Sequence, residues 1–170
     1  MTTDRQLWEQ ALLTFDRNLH TPGMFLTAQA NGKANTMTMG WGSLGYYWNK
    51  RVVTAPVRLT RYTRELIEES GCFTISIPKP GELVKELGVC GTRSGRDIDK
   101  FATCRFTPVP GRTVDVPVIG QAWLHLECKV LFKHDMTKMN LDAEVNDKYY
   151  ADLNHHTLYM AEVSDFYVFE

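Results

Sequence analysis

The sequence lacks an excess of charge of either sign, and it lacks any long apolar run. Its 170 residues carry 19 Lys and Arg against 20 Asp and Glu, a formal net charge of −1. Proteins that neutralise nucleic-acid phosphates carry a basic surplus, so no nucleic-acid partner is expected. No apolar stretch approaches the roughly 18 residues of a membrane-spanning helix, and the polar first residues do not resemble a signal peptide. We therefore expect a cytoplasmic protein with no membrane partner.

Cysteine is scarce, and its spacing excludes the common metal sites. The four residues Cys72, Cys90, Cys104 and Cys128 form no CxxC pair and have no histidine at zinc-finger spacing. Nothing in the sequence suggests export, so we expect reduced thiols, buried or half-buried, rather than disulfides. We predict no metal site. Cys90 is of interest because it precedes a glycine-rich turn.

Common nucleotide-binding and catalytic motifs are missing as well. The chain has no GxGxxG after a first strand and no GxxxxGK[ST], which excludes two frequent ways of holding a nucleotide phosphate. HExxH and GxSxG are absent, so neither a helix-borne metal site nor a hydrolase nucleophile is expected. The function must therefore be sought in other residue patterns.

What is present is a strand-rich pattern. Alternating side chains predict six or seven strands, and Asn31-Gly32 is typical of a hairpin turn. Pro56 favours an edge position or a bulge in its strand. The strands do not alternate with long helices, so an antiparallel, closed or partly closed barrel is favoured over a parallel sheet. The strands are expected within 23–59, at 72–77, along 124–132 and at 157–169.

Short helices are predicted between the strands, in a single domain that spans 1–170. Thr3 is a plausible N-cap for a helix over 4–14, within an N-terminal segment 1–15. Further helices are expected over 61–70, ending at Gly71, over 80–87, with Pro at the start, and after Ser94, which begins a Ser-x-x-Asp capping box. Residues 134–155 are polar and mixed, which predicts an excursion outside the core.

The helix predicted from residue 61 carries its charges against the helix dipole. Arg61 and Arg64 lie in its first turn, and three glutamates follow toward its end. The positive N-terminal end of a helix favours acidic residues, so the reversed order indicates an anion bound there. Three arginines and two threonines within 58–64 would suit a phosphate. The alternative is an ordinary solvated helix with unoptimised charges.

Two other segments combine small and polar residues. Within 35–43, small side chains on one strand face would let a flat ligand approach the backbone, although a bend in a barrel strand would also need small residues. Within 90–101, a turn rich in hydrogen-bond donors leads into a helix, and simple helix capping would explain it equally well.

Together these segments resemble the flavin reductase-like family, most of all its flavoredoxin-type branch. The resemblance covers roughly residues 20–165 and rests on Asn35-x-Met37-Thr38 with Trp41-Gly42, on Val57-Arg58-x-x-Arg61-Tyr62-Thr63, on Cys90-Gly91-Thr92-x-Ser94-Gly95-Arg96-Asp97, and on His156-Thr157-Leu158-Tyr159. It implies a mainly β fold, the FMN-binding split β-barrel, antiparallel and Greek-key-like with short peripheral helices. Such proteins normally form homodimers with the flavin near the subunit interface.

The resemblance also implies which residues would contact FMN. Along the isoalloxazine it places Asn35, Thr36, Met37, Thr38, Met39 and Trp41. At the phosphate it places Arg58, Arg61, Tyr62 and Thr63, and around the ligand or its approach Thr92, Ser94, Lys100 and Arg93. His156 would lie near the open face of the flavin, or it would be a strand histidine tied to a neighbour. The flavin carries the chemistry, so no catalytic residue is assigned, with His156 as the one possible exception.

The implied function is that of an NAD(P)H-dependent flavin or ferric reductase that passes hydride through the flavin N5. NADH or NADPH would then be the co-substrate, and the acceptor would be a small molecule or a redox protein. The alternative is a flavoredoxin-like FMN electron carrier without efficient NAD(P)H oxidation. A homodimer is expected to bury several of Trp41, Tyr46, Tyr47 and Trp48. The 134–155 excursion departs from the family pattern, and it is interpreted as a lid or dimer-contacting loop, or as a surface excursion without functional reach.

Overall fold

The mainly β, antiparallel architecture expected from the sequence is confirmed by the computed structural model, which describes residues 3–170. Within these residues the helices are α1 Asp4–Asn18, α2 Tyr62–Ser70, α3 Val84–Thr92, α4 Lys100–Cys104 and α5 Ala143–Tyr149, with a 3-10 turn at Lys138–Asn140. The strands are β1 Met24–Ala30, β2 Lys33–Met39, β3 Ser43–Tyr47, β4 Lys50–Arg58, β5 Cys72–Ile77, β6 Pro108–Val109, β7 Val118–Ile119, β8 Leu124–Asp135 and β9 His156–Val168. The first two residues of the predicted segment 1–15 lie outside the described range.

Seven of the strands form one sheet in the order β2-β1-β5-β8-β9-β4-β3, and every neighbouring pair is antiparallel. The β1–β2 hairpin turns at Asn31 and Gly32, whose φ angles are +50° and +72°. Positive φ at both positions is the geometry that Asn-Gly favours and that matches the twist of the paired strands. The predicted hairpin is thus confirmed. β9 lies between β8 and β4, so it joins the two halves of the sheet.

Pro56 lies in β4, which is an interior strand rather than an edge strand. β3 pairs with β4 only as far as Thr54, whereas Pro56 pairs with Leu158 of β9. Because β3 has already ended, no strand flanks Pro56 on that side. The proline is therefore accommodated at a local edge of an interior strand, which is where a residue without a backbone N–H is tolerated.

Two helix predictions are wrong. The helix expected over 80–87 begins only at Val84, because Gly81, with φ of +82°, forms a turn and Leu83 adopts a left-handed conformation before the helix. Ser94 does not cap a helix either, since its hydroxyl accepts from the N–H of Arg96 in a tight turn. Asp99 is the N-cap of α4, and its carboxylate accepts from Ala102 N at 3.0 Å. The predicted caps at Thr3 and Gly71 are confirmed.

The main core packs α1 and α2 against one face of the sheet, around fully buried side chains such as Phe15, Leu26, Phe73 and Tyr159. The four cysteines are free thiols, with Cys90 and Cys128 buried, as expected. The sheet is strongly curved. Met37 of β2 and Arg58 of β4 line one cavity, although four strands lie between β2 and β4 in the order of the sheet. No helix within residues 3–170 combines the length and apolarity needed to cross a bilayer.

Candidate functional site

Two adjoining cavities lie between β2, the start of α2, and the ends of β4 and β9. The first, here called the cationic cavity, has a volume of about 210 Å³, and it is lined by Asn35, Met37, Arg58, Thr60, Arg61, Tyr62, Thr63, Thr92, Arg93, Ser94, Gly95, Lys100 and Asn154. The second, here called the aromatic cavity, has a volume of about 160 Å³, and it is lined by Met37, Thr38, Met39, Gly40, Trp41, Pro56, Arg58, Arg61 and His156. Met37, Arg58 and Arg61 belong to both, so the two cavities are neighbours with a shared wall.

The structure brings the predicted cofactor residues to the walls of these cavities, with one exception. Thr36 is fully buried and lines neither cavity. Its carbonyl accepts a hydrogen bond of 2.8 Å from Lys100 Nζ, so it supports the site by holding a lysine of the wall. The hydroxyl of Thr92 donates to Gly88 O, within its own helix. Contact of any of these residues with FMN stays a prediction.

Three cations of the cationic cavity, Arg61, Arg93 and Lys100, have no carboxylate partner within residues 3–170, and of these Arg93 is exposed. Lys100, only 3% exposed, donates to the carbonyls of Thr36 and Cys90, and Arg61 Nη1 donates to Gly91 O at 2.8 Å. Burial lowers the pKa of Arg61, and the positive charge of Arg58 lowers it further. The pKa of Lys100 is lowered by burial and by Arg61. Burying cations without counter-ions is costly, and an anion in the cavity would offset that cost.

The reversed charges of α2 are largely explained by tertiary contacts with residues distant in sequence. Arg64 faces away from the cavity, since its Nε donates to Thr157 Oγ1 at 2.8 Å and its Nη2 lies 3.7 Å from Asp135 Oδ1. The glutamates also have distant partners: Glu65 pairs with Arg96, Glu68 with Lys133 and the Tyr159 hydroxyl, and Glu69 with Asn31. Arg61, the N-cap residue, is the arginine of α2 that lines the cavity, and it makes no side-chain capping bond. The anion interpretation therefore depends on Arg61 and Lys100 rather than on the charge order of the helix.

One wall of the cationic cavity is closely packed around Asn35. Its Nδ2 donates to Thr63 Oγ1 at 2.8 Å, and the side chain is buried. A Cβ placed on Gly95 would lie 2.0 Å from Asn35 Oδ1. Glycine is thus required at this position for the 90–101 segment to approach β2.

The 134–155 excursion reaches the site through Arg58. Arg58 Nη1 donates to Asn154 O at 2.7 Å and Nη2 to Tyr149 O at 3.2 Å, and Asp152 lies 3.6 Å away. Asn154 Nδ2 donates to Thr60 Oγ1 at 2.9 Å, at the wall of the cationic cavity. The excursion therefore contacts the wall of the cavity, and its action as a lid, as against a surface excursion without functional reach, stays a prediction. Asn154 is a wall residue that sequence reasoning missed, because no local motif marks it.

His156 lies both against a neighbour and at the wall of the aromatic cavity. Its Nδ1 is 2.9 Å from the Tyr150 hydroxyl, and its ring centroid is 5.4 Å from that of Trp41. Burial lowers the pKa of His156 to about 4, and the charges of Arg58 and Arg61 contribute to this shift. The imidazole is therefore neutral at pH 7.

A larger cleft, of about 460 Å³, lies beside the 108–117 segment and does not share these properties. Asp99 and Asp115 line it, and no Lys or Arg does. Such a lining is unfavourable for a phosphate. Cys90 is not a reactive thiol at neutral pH, because burial raises its pKa to about 12. The cationic and aromatic cavities are thus the best candidates for a ligand site.

Residues 16–170 match the model of the flavin reductase like domain. Flavoredoxin from Methanosarcina acetivorans is 28% identical, with a TM-score of 0.71 over 90% of this chain and 73% of that one. Flavoredoxin of Desulfovibrio vulgaris (Miyazaki F) is 30% identical, with a TM-score of 0.68 over 91% of this chain and 74% of that one.

Among curated relatives, an uncharacterised protein of Archaeoglobus fulgidus is 31% identical over 107 residues, which are 63% of this chain and 59% of that protein. The chain therefore spans about three fifths of that relative's length. The domain match covers nearly all of the chain, and two solved structures that are 28% and 30% identical share its fold. The chain belongs to the flavin reductase-like family.

Proposed function

We propose that the chain binds FMN and passes electrons from NADH or NADPH to a flavin or ferric acceptor. The observation that carries the proposal is the pair of cations, Arg61 and Lys100, at the wall of a cavity whose described surroundings hold no carboxylate for them. Bound FMN would supply hydride and single-electron chemistry that amino-acid side chains lack. Family membership supports a flavin as the ligand.

The residues at the two cavities fit FMN. A phosphate is a dianion, and the cationic cavity offers charged donors from Arg61 and Lys100 together with the N-terminal end of α2. The aromatic cavity offers Trp41 and the backbone of 38–40 to a flat ring. Because Arg58 and Arg61 border both cavities, their charge also favours any ligand group that becomes more negative on accepting electrons. The chain itself needs no nucleophile for this reaction.

Fluorescence titration of FMN tests the phosphate assignment. Arg61→Ala is expected to weaken FMN binding by about 10-fold to 150-fold, because one charged hydrogen bond contributes roughly 1.5–3 kcal/mol. Arg64→Ala is the matched control: it removes the same side chain three residues away, where it contacts Thr157 and Asp135 instead. FMN affinity in the control should stay close to that of the parent protein. Equal affinities for all three proteins would contradict the assignment.

Adding Arg58→Ala to Arg61→Ala is expected to weaken FMN binding further, for two reasons. Arg58→Ala removes a cation from the cavity, and it also removes the donor that holds the carbonyls of Tyr149 and Asn154. Protease resistance of the excursion should therefore fall together with FMN affinity. In Arg61→Ala, by contrast, FMN affinity should fall while the excursion keeps its resistance.

A second candidate function is that of an FMN electron carrier that oxidises no nicotinamide efficiently. The likeness to two flavoredoxins, which are 28% and 30% identical to this chain, favours it. Steady-state oxidation of NADH and NADPH with added FMN or ferric chelates separates the two candidates. Turnover supports the reductase. A yellow protein that binds FMN tightly and does not turn over supports the carrier.

We also propose that the chain forms a homodimer through the β3–β4 hairpin. Tyr46, Tyr47 and Trp48 are 67%, 54% and 57% exposed, and Trp41 is 41% exposed. Aromatic side chains clustered on a surface are typical of protein–protein interfaces. Sedimentation equilibrium with FMN bound should give twice the chain mass. A mass near 19.5 kDa at micromolar concentration would contradict the proposal.

A further inference from the structure

A tyrosine of the excursion is hydrogen-bonded to the histidine at the wall of the aromatic cavity. Tyr150 Oη lies 2.9 Å from His156 Nδ1, and the two residues are only 4% and 7% exposed. The other ring nitrogen, His156 Nε2, has no hydrogen-bond partner within residues 3–170, and it keeps some exposed surface. Nε2 is therefore the ring nitrogen that a ligand in the cavity can reach.

Tyr150 is itself held firmly in place. Its ring stacks on His155, with centroids 4.8 Å apart and an interplanar angle of 17°. The guanidinium carbon of Arg58 lies 5.6 Å from the ring centroid. Arg58 also donates to the carbonyls of Tyr149 and Asn154, which lie on either side of Tyr150 in sequence. These contacts fix the position of the Tyr150 hydroxyl relative to His156.

The hydrogen between Tyr150 and His156 can be placed in two ways. In the first, the phenol O–H donates to Nδ1, and the imidazole proton is on Nε2. In the second, Nδ1–H donates to the phenol oxygen, whose own hydrogen then turns to Met136 Sδ at 3.5 Å. A thioether sulfur is a weak acceptor compared with an imidazole nitrogen, so the first arrangement makes the stronger hydrogen bond. In a neutral imidazole, the bond made by one nitrogen decides which nitrogen carries the proton.

We propose that Tyr150 is a positioning residue: it holds His156 as the Nε2–H tautomer and thereby directs a neutral N–H donor at an acceptor atom of the FMN ring. The tautomer follows from the hydrogen bonds alone, whereas the contact with the ring rests on the proposed function. The groups around His156 keep it uncharged. Arg58 and Arg61 share its cavity, His155 precedes it, and no carboxylate of residues 3–170 pairs with it.

Nitrogen-15 NMR of histidine side chains tests the tautomer in the protein without FMN. Signals of His156 are identified by their loss in His156→Asn. Between pH 6 and 8, the parent protein should show a protonated Nε2 and an unprotonated Nδ1. In Tyr150→Phe, both nitrogen shifts should move toward the averaged values of a tautomer mixture. A protonated Nδ1 in the parent protein, or an unchanged pattern in Tyr150→Phe, would overturn the proposal.

Tyr149→Phe is the matched control, since it removes a hydroxyl one residue away. The Tyr149 hydroxyl makes no hydrogen bond within the described residues, so the His156 signals should not change in this variant. A change as large as that in Tyr150→Phe would mean that the nitrogen shifts report on general loosening of the excursion. The proposal would then fail.

The visible absorption spectrum of bound FMN tests the contact with the ring. His156→Asn and Tyr150→Phe should shift the bands in the same direction, and Tyr149→Phe should leave them in place. FMN affinity, measured in the same titrations, should change by less than tenfold, because the cations of the phosphate end are untouched. Unaltered bands in both site variants would overturn the donor role. Failure of the parent protein to bind FMN would instead refute the proposed function, while the NMR result would still decide the tautomer.

Discussion

Two buried charged regions of this fold differ in how their charge is neutralised. Glu127 of β8 is fully buried, and its carboxylate accepts from Arg112 N at 2.7 Å, from Thr113 N at 2.6 Å and from the Tyr167 hydroxyl at 2.7 Å. Lys100 and Arg61, in the cationic cavity, donate to backbone carbonyls and have no carboxylate partner in the described chain. The charge of the first region is fully satisfied by donors of the same chain, whereas the charges of the second region have no counter-ion in the described chain.

The difference distinguishes a charge that the chain itself satisfies from charges that we propose a ligand satisfies. Burial alone would raise the pKa of Glu127, but the donors around it outweigh burial and hold its pKa below the usual range. Apart from the Tyr167 hydroxyl, these donors come from the 112–114 loop, so the carboxylate fastens that loop to the sheet. At Lys100 and Arg61 burial works in the opposite direction, against the charged form, and no carboxylate offsets it. A counter-charge from outside the chain would complete this second region.

Breaking the first region should have the largest effect. Glu127→Gln loses several charge-assisted hydrogen bonds and leaves some donors without an acceptor, so we expect the free energy of unfolding to fall by about 3–5 kcal/mol. Urea denaturation measures it. Glu162→Gln is the matched control on β9, since that carboxylate makes a partly exposed ion pair with Lys50 and should contribute less than about 1 kcal/mol. Similar losses in the two variants would contradict the comparison.

Lowering the pH should reduce the stability of the fold through two histidines, one in each region. Burial lowers the pKa of His125, near Glu127, to about 4, and the pKa of His156 is lowered to about 4 as well. The unfolded chain binds these protons below about pH 6.5, while the folded protein stays neutral down to about pH 4. Stability should therefore fall over that range, by roughly 2 kcal/mol for each histidine between pH 7 and pH 5.

The variants His125→Asn and His156→Asn assign this pH dependence, because each should remove about half of the slope. On the proposed assignment, bound FMN would add a phosphate beside Arg58 and Arg61 and so raise the pKa of His156. FMN should thus reduce the His156 part of the slope and leave the His125 part unchanged. Urea denaturation at pH 5, 6 and 7 measures both slopes. An equal effect of FMN on the two would show that the regions are not independent.

The smallest expected effect is the stabilisation of the folded protein by inorganic phosphate. A ligand that binds only the folded protein stabilises it by mass action, about 1.4 kcal/mol at ten times the dissociation constant. Thermal unfolding in increasing phosphate, at ionic strength held constant with chloride, should therefore show a rise in Tm for the parent protein and for Glu127→Gln. Arg61→Ala should lose the rise. The same gain in Arg61→Ala would locate the phosphate elsewhere.

Local patterns predicted the fold well because local physics decides those features. The Asn31-Gly32 turn, the Thr3 cap and the glycine end of α2 at Gly71 depend on a few neighbouring residues. The start of α3 was missed because Leu83 adopts a left-handed conformation that no propensity favours. Ser94 was misread as a cap, since its hydroxyl forms a tight turn before Asp99 takes the capping role.

The site was predicted in part, since Arg58 and Arg61 are close in sequence and share a wall of both cavities. Asn154 and Tyr150 were missed, because their places depend on the pairing of β4 with β9, which sets Arg58 opposite His156. The charge order of α2 was interpreted as a sign of a bound anion, but it too depends on tertiary contacts. The partners of these charges, such as Asp135 for Arg64, are distant in sequence.

The position of β9 between β8 and β4 has a consequence for synthesis on the ribosome. Arg58 pairs with His156, so about a hundred residues must be translated after β4 before its partner strand exists. At roughly 5–20 residues per second this interval lasts on the order of 5–20 s. Throughout it, the β3–β4 hairpin is separate from the other half of the sheet, and β4 exposes an unpaired edge to neighbouring nascent chains. Asn154 and His156 line the two cavities, so a ligand meets the complete walls only after β9 has been translated and paired.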